Sequence, residues 1–158
     1  MPAWSEALIA GGAALLHALF WAGLAVLHIR RLRLPVRHET GPVTLILPLT
    51  GAAPGLGALF GALAAQSLRP RRLLVAVESE DDPAAGRARA LAPMLPFPVE
   101  VVVAGRFERR AQKNTNLIAA LARVDGQDAC LVLLDADIRP QPWWLSALAT
   151  PVLTGEVA

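Results

Sequence analysis

Leu131-Val132-Leu133-Leu134-Asp135-Ala136-Asp137 is the stretch on which the fold turns. With Ala129 and Cys130 before it, the run reads as a strand over 129–134. Strands of a parallel sheet are covered on both faces, so they appear as continuous apolar runs rather than alternating ones. Asp135 and Asp137 follow at i and i+2, positions that project to the same side of extended backbone. Two carboxylates delivered together are costly to hold without a cation. Hard oxygen ligands suit Mg²⁺ or Mn²⁺, which in turn take phosphate oxygens. The competing reading is a hydrated turn, since Asp is common in turns. A parallel sheet binds its ligands beyond the carboxyl ends of its strands, where both acids lie, and this favours a site.

Upstream, the same kind of run recurs. Val43–Leu47 is entered from Gly41-Pro42 and closed by Pro48, and Leu73–Val77 and Val99–Val103 are further short apolar strands. Between them lie helical spacings: Leu56, Leu59, Phe60 and Leu63 over residues 56–66, then a helix from Asp82-Pro83 to about Leu95, with Asp82 as N-cap and Pro83 in the first turn. A third helix is expected over Asn114–Arg123 and a last one over Pro142–Ala149, which Pro151 should interrupt. Strands alternating with helices indicate an α/β fold: a parallel sheet with helices on both faces.

Other strand ends offer candidates. Glu78-Ser79-Glu80-Asp81-Asp82 crowds four acids into five residues. This is either a solvated turn or a place where one or two carboxylates face the crevice and accept hydrogen bonds from a base or sugar. Lys113, in Gln112-Lys113-Asn114-Thr115-Asn116-Leu117, is the sole lysine of a chain that otherwise uses arginine. It marks either a surface helix start capped by Asn114 or a cation at a helix N-terminus suited to a diphosphate. The loop Thr50-Gly51-Ala52-Ala53-Pro54-Gly55-Leu56-Gly57 matches neither a phosphate loop nor a dinucleotide fingerprint: it lacks the Lys of the one, and Phe60 stands at the third glycine of the other. It reads as a flexible turn.

Composition agrees with a membrane-attached protein. The 158 residues are 54% hydrophobic and 18% charged, with a mean hydropathy of +0.45, which excludes a disordered tail. A net charge of +2 without any long basic run gives nucleic-acid binding no support. Cys130 alone makes neither a disulfide framework nor a cysteine zinc site. Residues 7–29 carry no full charge and, at about 1.5 Å per residue, reach across the ~30 Å hydrocarbon core. Glu6 precedes them and Arg30, Arg31, Arg33 and Arg37 follow, which predicts a single-pass anchor in the inner (plasma) membrane with the rest cytoplasmic. A signal peptide would have a positive amino end, which is lacking here. His17 and His28 have no acid or cysteine nearby in sequence and read as a satisfied packing residue and an interfacial one. The expected organisation is a tail at 1–6, a membrane helix at 7–29, a basic linker at 30–41 and an α/β domain at 42–158.

Taken together, Pro48-Leu49-x-Gly51, Glu80-Asp81-Asp82-Pro83-Ala84, Lys113-x-x-Asn116-Leu117 and Asp135-Ala136-Asp137-Ile138-Arg139 resemble the ceramide glucosyltransferase type of family-two-like glycosyltransferases. Bacterial relatives of that type include hopanoid-biosynthesis enzymes. The resemblance implies a GT-A-like fold, a nucleotide-sugar donor such as a UDP-hexose, a lipid acceptor of sphingolipid or hopanoid type, and transfer with inversion. It places Asp82 near the nucleoside, Asp135 near the ribose and sugar, and Asp137 on a metal, with Lys113 and Asn116 on the donor side. Ser79 stands where the ceramide enzymes carry another acid, and Glu78 is the substitute candidate. The third catalytic aspartate and Gln-x-x-Arg-Trp of that family lie well beyond its Asp-x-Asp segment. The resemblance therefore implies a truncated, donor-binding portion without the catalytic base, ending at Ala158. Trp143-Trp144 reads as helix packing. Two alternatives stay open: an aspartyl-phosphate-type phosphohydrolase using Asp135 as nucleophile, and a non-catalytic membrane-anchored interaction segment.

Overall fold

The computed structural model describes residues 3–32 and 41–155, with side chains over 11–28 and 41–155. The chain divides into two units, residues 1–36 and 37–158. In the first, a single helix α1 runs Ala3–Leu32, so most of the expected tail is helical. Its Gly11–His28 window has a mean hydropathy of 1.5 and none of it is buried, a length and composition able to cross a membrane that a signal sequence would share. His17 accepts a hydrogen bond from the Trp21 indole at 2.9 Å, one turn on, so its ring nitrogen is satisfied inside the helix. Arg33 and Arg37 lie outside the described residues, as do the side chains of Glu6, Arg30 and Arg31, so both the charge bias and most of the 30–41 linker fall there.

The second unit is built on four parallel strands, β1 (Val43–Pro48), β2 (Arg72–Val77), β3 (Val99–Val103) and β4 (Cys130–Leu133), in the order β3-β2-β1-β4. Helices α2 (Leu56–Ala64), α3 (Pro83–Leu91), α4 (Gln112–Leu121) and α5 (Trp144–Leu153) connect and flank them, with a short 3₁₀ turn at Ala92–Met94. Leu45, Leu47, Leu73, Val75 and Val132 bury one sheet face against Leu56, Leu59, Phe60 and Leu63 of α2, Ala84 and Ala88 of α3, and Leu145 of α5. Each fully buried Leu or Phe contributes about 2 kcal/mol. Ile46, Leu74, Ala76 and Val102 form the other face, covered by Ala120 and Leu117 of α4. Helices on both faces of a parallel sheet are what the strand-helix alternation predicts.

Three details depart from the sequence reading. The apolar run of β4 is not covered on both faces: Leu131 and Leu133 are exposed, because α4 packs over β1, β2 and β3 and leaves this edge strand open. Helix α4 starts at Gln112 with Ala111 at the N-cap and no side-chain cap, so Asn114 lies within the first turn instead of capping it. Pro151 does not stop α5, which begins at Trp144 and runs to Leu153. The proline falls in the last turn, so it forgoes its own N–H bond but little helix remains beyond it to be disrupted. The end comes at Gly155, at φ +71°, with Thr154 returning a backbone hydrogen bond to Thr150.

Candidate functional site

The strand order reverses between β1 and β4, since β1 leads outward to β2 and β3 on one side while β4 flanks it on the other. That switch point leaves a crevice beyond the carboxyl ends of both strands. A cavity of about 370 Å³ opens there, lined by Pro48 at the end of β1, Leu49, Thr50 and Ala53 after it, Asp135, Ala136 and Asp137 after β4, and Lys113 from α4. Both acids of the Asp-x-Asp segment therefore share one rim, although the strand geometry expected to align them does not extend that far. The ladder ends with the Leu134 amide donating to Ile46 at 2.8 Å, and Ala136-Asp137 form a turn. A turn, rather than strand alternation, delivers Asp137.

Lys113 reaches across from the first turn of α4 and donates to Asp135 Oδ1, both side chains remaining more than half exposed. The pair also walls an adjoining cavity of about 210 Å³ with Pro48, Leu117, Leu133 and Leu134. Asn116, placed with the donor-side residues from sequence, is 0% exposed. Its Nδ2 donates to the Leu49 carbonyl at 2.7 Å, and its Oδ1 accepts from Gln112 Nε2 at 2.8 Å. It therefore fixes the cavity wall and offers no atom to a ligand.

The acidic run after β2 is dispersed by partners. Glu80 pairs with Arg89 at 2.5 Å and Glu78 lies 3.9 Å from Arg106. Asp82 caps α3 as expected, its Oδ1 accepting from the Ala84 amide at 2.9 Å, and the same oxygen takes the Gly51 amide at 3.0 Å. That second bond ties the start of α3 to the β1–α2 loop. Neither Glu78 nor Asp82 lines the main cavity. Of the Trp143-Trp144 pair, Trp144 packs on the core while Trp143 is 60% exposed.

Sequence reasoning missed the contribution of the β1–α2 loop. Thr50 and Ala53 form part of the wall, with Gly51 at φ +69° and Ala53 at φ +41° shaping the turn. Clustered Gly, Ala and Pro were the available signal, but without a known phosphate motif they resembled any tight turn.

Among the described residues no group of three or more His, Cys, Asp or Glu is placed to hold a metal ion. Asp135 and Asp137 nevertheless suit a hard cation that retains water and completes its shell with phosphate oxygens. Two such carboxylates would fit Mg²⁺ or Mn²⁺.

Glycosyl transferase family 21 matches residues 7–158. Glucosyl-3-phosphoglycerate synthase from Mycobacterium tuberculosis, solved with Mn²⁺, uridine diphosphate and glucosyl-3-phosphoglycerate, is 20% identical with a TM-score of 0.52, the match covering 73% of this chain and 41% of that one. The same enzyme with phosphoglyceric acid gives 21% identity and a TM-score of 0.54 over the same shares. The likeness establishes a GT-A-like fold, and the chain spans about two fifths of the length of these structures. No curated protein matches the sequence.

Proposed function

The chain belongs to glycosyl transferase family 21, and from that premise we propose that it is the donor-binding portion of a membrane-anchored glycosyltransferase. It takes a nucleotide-sugar, with UDP as the nucleotide and a hexose or N-acetylhexosamine as the sugar, for transfer with inversion to a lipid hydroxyl. The carrying observation is that Asp135, Asp137 and Lys113 meet on one cavity at the switch point between β1 and β4. The glucosyl-3-phosphoglycerate synthase of the same fold was solved with Mn²⁺ and uridine diphosphate, which supports a metal-diphosphate ligand of this kind. Helix α1, exposed and apolar through Gly11–His28, supports the anchor and an acceptor met at the bilayer.

Asp137 and Asp135 would hold Mg²⁺ or Mn²⁺, which when bound supplies Lewis-acid neutralisation of charge on the departing diphosphate. Lys113 adds an ammonium on the same wall. The loop Thr50–Ala53 shapes the far side of the cavity, and Asp82 fixes that loop through Gly51. Removal of the acceptor proton calls for a further carboxylate, a contribution of about 10²–10⁴-fold, and the residues around this cavity are committed to the donor side. The phosphohydrolase alternative, with Asp135 as nucleophile, is disfavoured by the family match over residues 7–158.

Titration calorimetry of the full chain in detergent tests the reading: UDP-sugars bind in the presence of Mn²⁺, and Asp137→Ala weakens that binding at least tenfold, about 1.4 kcal/mol. Absence of heat with every UDP-sugar plus Mn²⁺ would overturn it.

A further inference from the structure

The Lys113–Asp135 pair joins the group that favours the diphosphate to one of the two carboxylates suited to the cation. Both cannot be fully served at once. While Lys113 donates to Asp135 Oδ1, that carboxylate is already neutralised by an ammonium, and a divalent ion approaching the rim meets a like charge beside one of its two acidic ligands. Among the described residues no third acid compensates. With the pair intact, the rim carries one net negative charge from Asp135, Asp137 and Lys113, too little to hold a divalent cation strongly.

We infer that Lys113 is an internal competitor of the divalent cation, and that it sets the order of loading: Asp135 releases Lys113 only when a diphosphate supplies a replacement anion, so cation and nucleotide enter together. The position of the lysine makes the exchange feasible. It stands at the second residue of α4, on a side chain 61% exposed, between the two cavities it lines. Its ammonium can swing from Asp135 toward an anion in the main cavity without unpacking the core. The backbone beneath it is held independently, because Asn116, one turn along, is locked to Leu49 and to Gln112. The exchange is a rotamer change rather than a movement of the helix.

This inference rests on the donor-site reading above, and the test separates the two. The affinity of the full chain for Mn²⁺ alone is measured by electron paramagnetic resonance of the free ion, then repeated with saturating UDP, for the native protein and for Lys113→Met, Lys113→Gln and Lys113→Arg. Without UDP, Lys113→Met and Lys113→Gln bind Mn²⁺ about tenfold more tightly than the native chain, while Lys113→Arg, which keeps the charge, stays close to it. With Mn²⁺ saturating, both neutral variants bind UDP more weakly, so the enhancement of Mn²⁺ binding by UDP shrinks. If one neutral variant fails to fold by circular dichroism, the other carries the comparison. Unchanged or weaker Mn²⁺ binding in the folded neutral variants overturns the competition, and if the native chain still binds UDP with Mn²⁺ the donor site survives it. Absence of Mn²⁺ and UDP binding in every form removes both.

Discussion

Gly55 faces the backbone of Ala136 so closely that a Cβ built at residue 55 would lie 3.0 Å from the Ala136 carbonyl oxygen and 3.4 Å from the Arg139 guanidinium. The start of α2 is thereby pressed onto the turn that carries Asp137. The missing side chain is needed for approach, not for backbone freedom, since Gly55 sits at φ −76°, open to any residue. A methyl here must push a backbone atom of the acidic turn.

Gly55→Ala should therefore disturb the site more than the fold. The expected cost is about 1 kcal/mol of stability from overpacking, with Mn²⁺-dependent UDP binding weakened severalfold as the Asp135–Asp137 rim shifts. Gly57→Ala is the matched control, because nothing lies within 4 Å of a Cβ there. Inside helix α2 that change should leave binding intact and raise stability by about 0.5–1 kcal/mol. Thermal melts and calorimetry on the two variants check both; equal binding by Gly55→Ala and the native chain would show that the turn accommodates the methyl.

Asp82 offers a sharper distinction between structure and ligand contact. Its Oδ1 serves both the Ala84 and Gly51 amides, so Asp82→Ala should lose the cap and leave the loop amide without its partner, about 1–2 kcal/mol. Asp82→Asn keeps an acceptor oxygen and should retain most of that stability. The sequence resemblance sets Asp82 near the nucleoside. Loss of UDP affinity in a stable Asp82→Asn protein would support that contact, and unchanged affinity would restrict Asp82 to holding the Thr50–Ala53 wall in place.

The sheet was legible because its strands are short, apolar and separated by helical spacing, and their bounds shift by only a residue or so at their ends. Local signals with a local cause also read correctly, as with Asp82-Pro83 opening α3. That Asp135 and Asp137 would share one crevice was legible because the rule that crevices lie beyond strand ends needs only the strand assignment. What escaped depends on partners distant in sequence. Nothing near Asn116 announces that its amide meets Leu49, 67 residues away, and a polar residue in a helix start looks the same whether it faces a ligand or a carbonyl. Exposure of Leu131 and Leu133 depends on which strands α4 crosses, a tertiary choice that an apolar run does not encode. Trp144 and Trp143 differ for the same reason.

The opposite end of the sheet supplies the last prediction, since the stability of the whole platform is tied there. Asp128, with its side chain 0% exposed, accepts from Thr44 Oγ1, from Arg71 at 2.7 Å, from Arg72 at 2.6 Å and from the Asp125 amide at 3.0 Å. These bonds join the entry of β4 to β1 and β2. Burial by itself would raise the Asp128 pKa, but the hydrogen bonds from Thr44, the Asp125 amide, Arg72 and Arg71 outweigh it and hold the carboxyl well below the usual range. Because the folded-state pKa is depressed, the stabilisation is fully present above the unfolded value of about 3.9 and is lost as pH falls below it toward the folded value. Stability should thus be insensitive to this group from pH 8 to 5 and decline steadily below pH 4. Asp128→Asn should cost about 3 kcal/mol at pH 7, because it removes the buried carboxylate that both guanidinium groups share and leaves them the half-exposed Asp125 as a charged partner, and should flatten the decline below pH 4. Guanidinium unfolding followed by tryptophan fluorescence across pH 2–8 measures both, and an equally steep acid decline in Asp128→Asn would assign the acid sensitivity to other carboxylates.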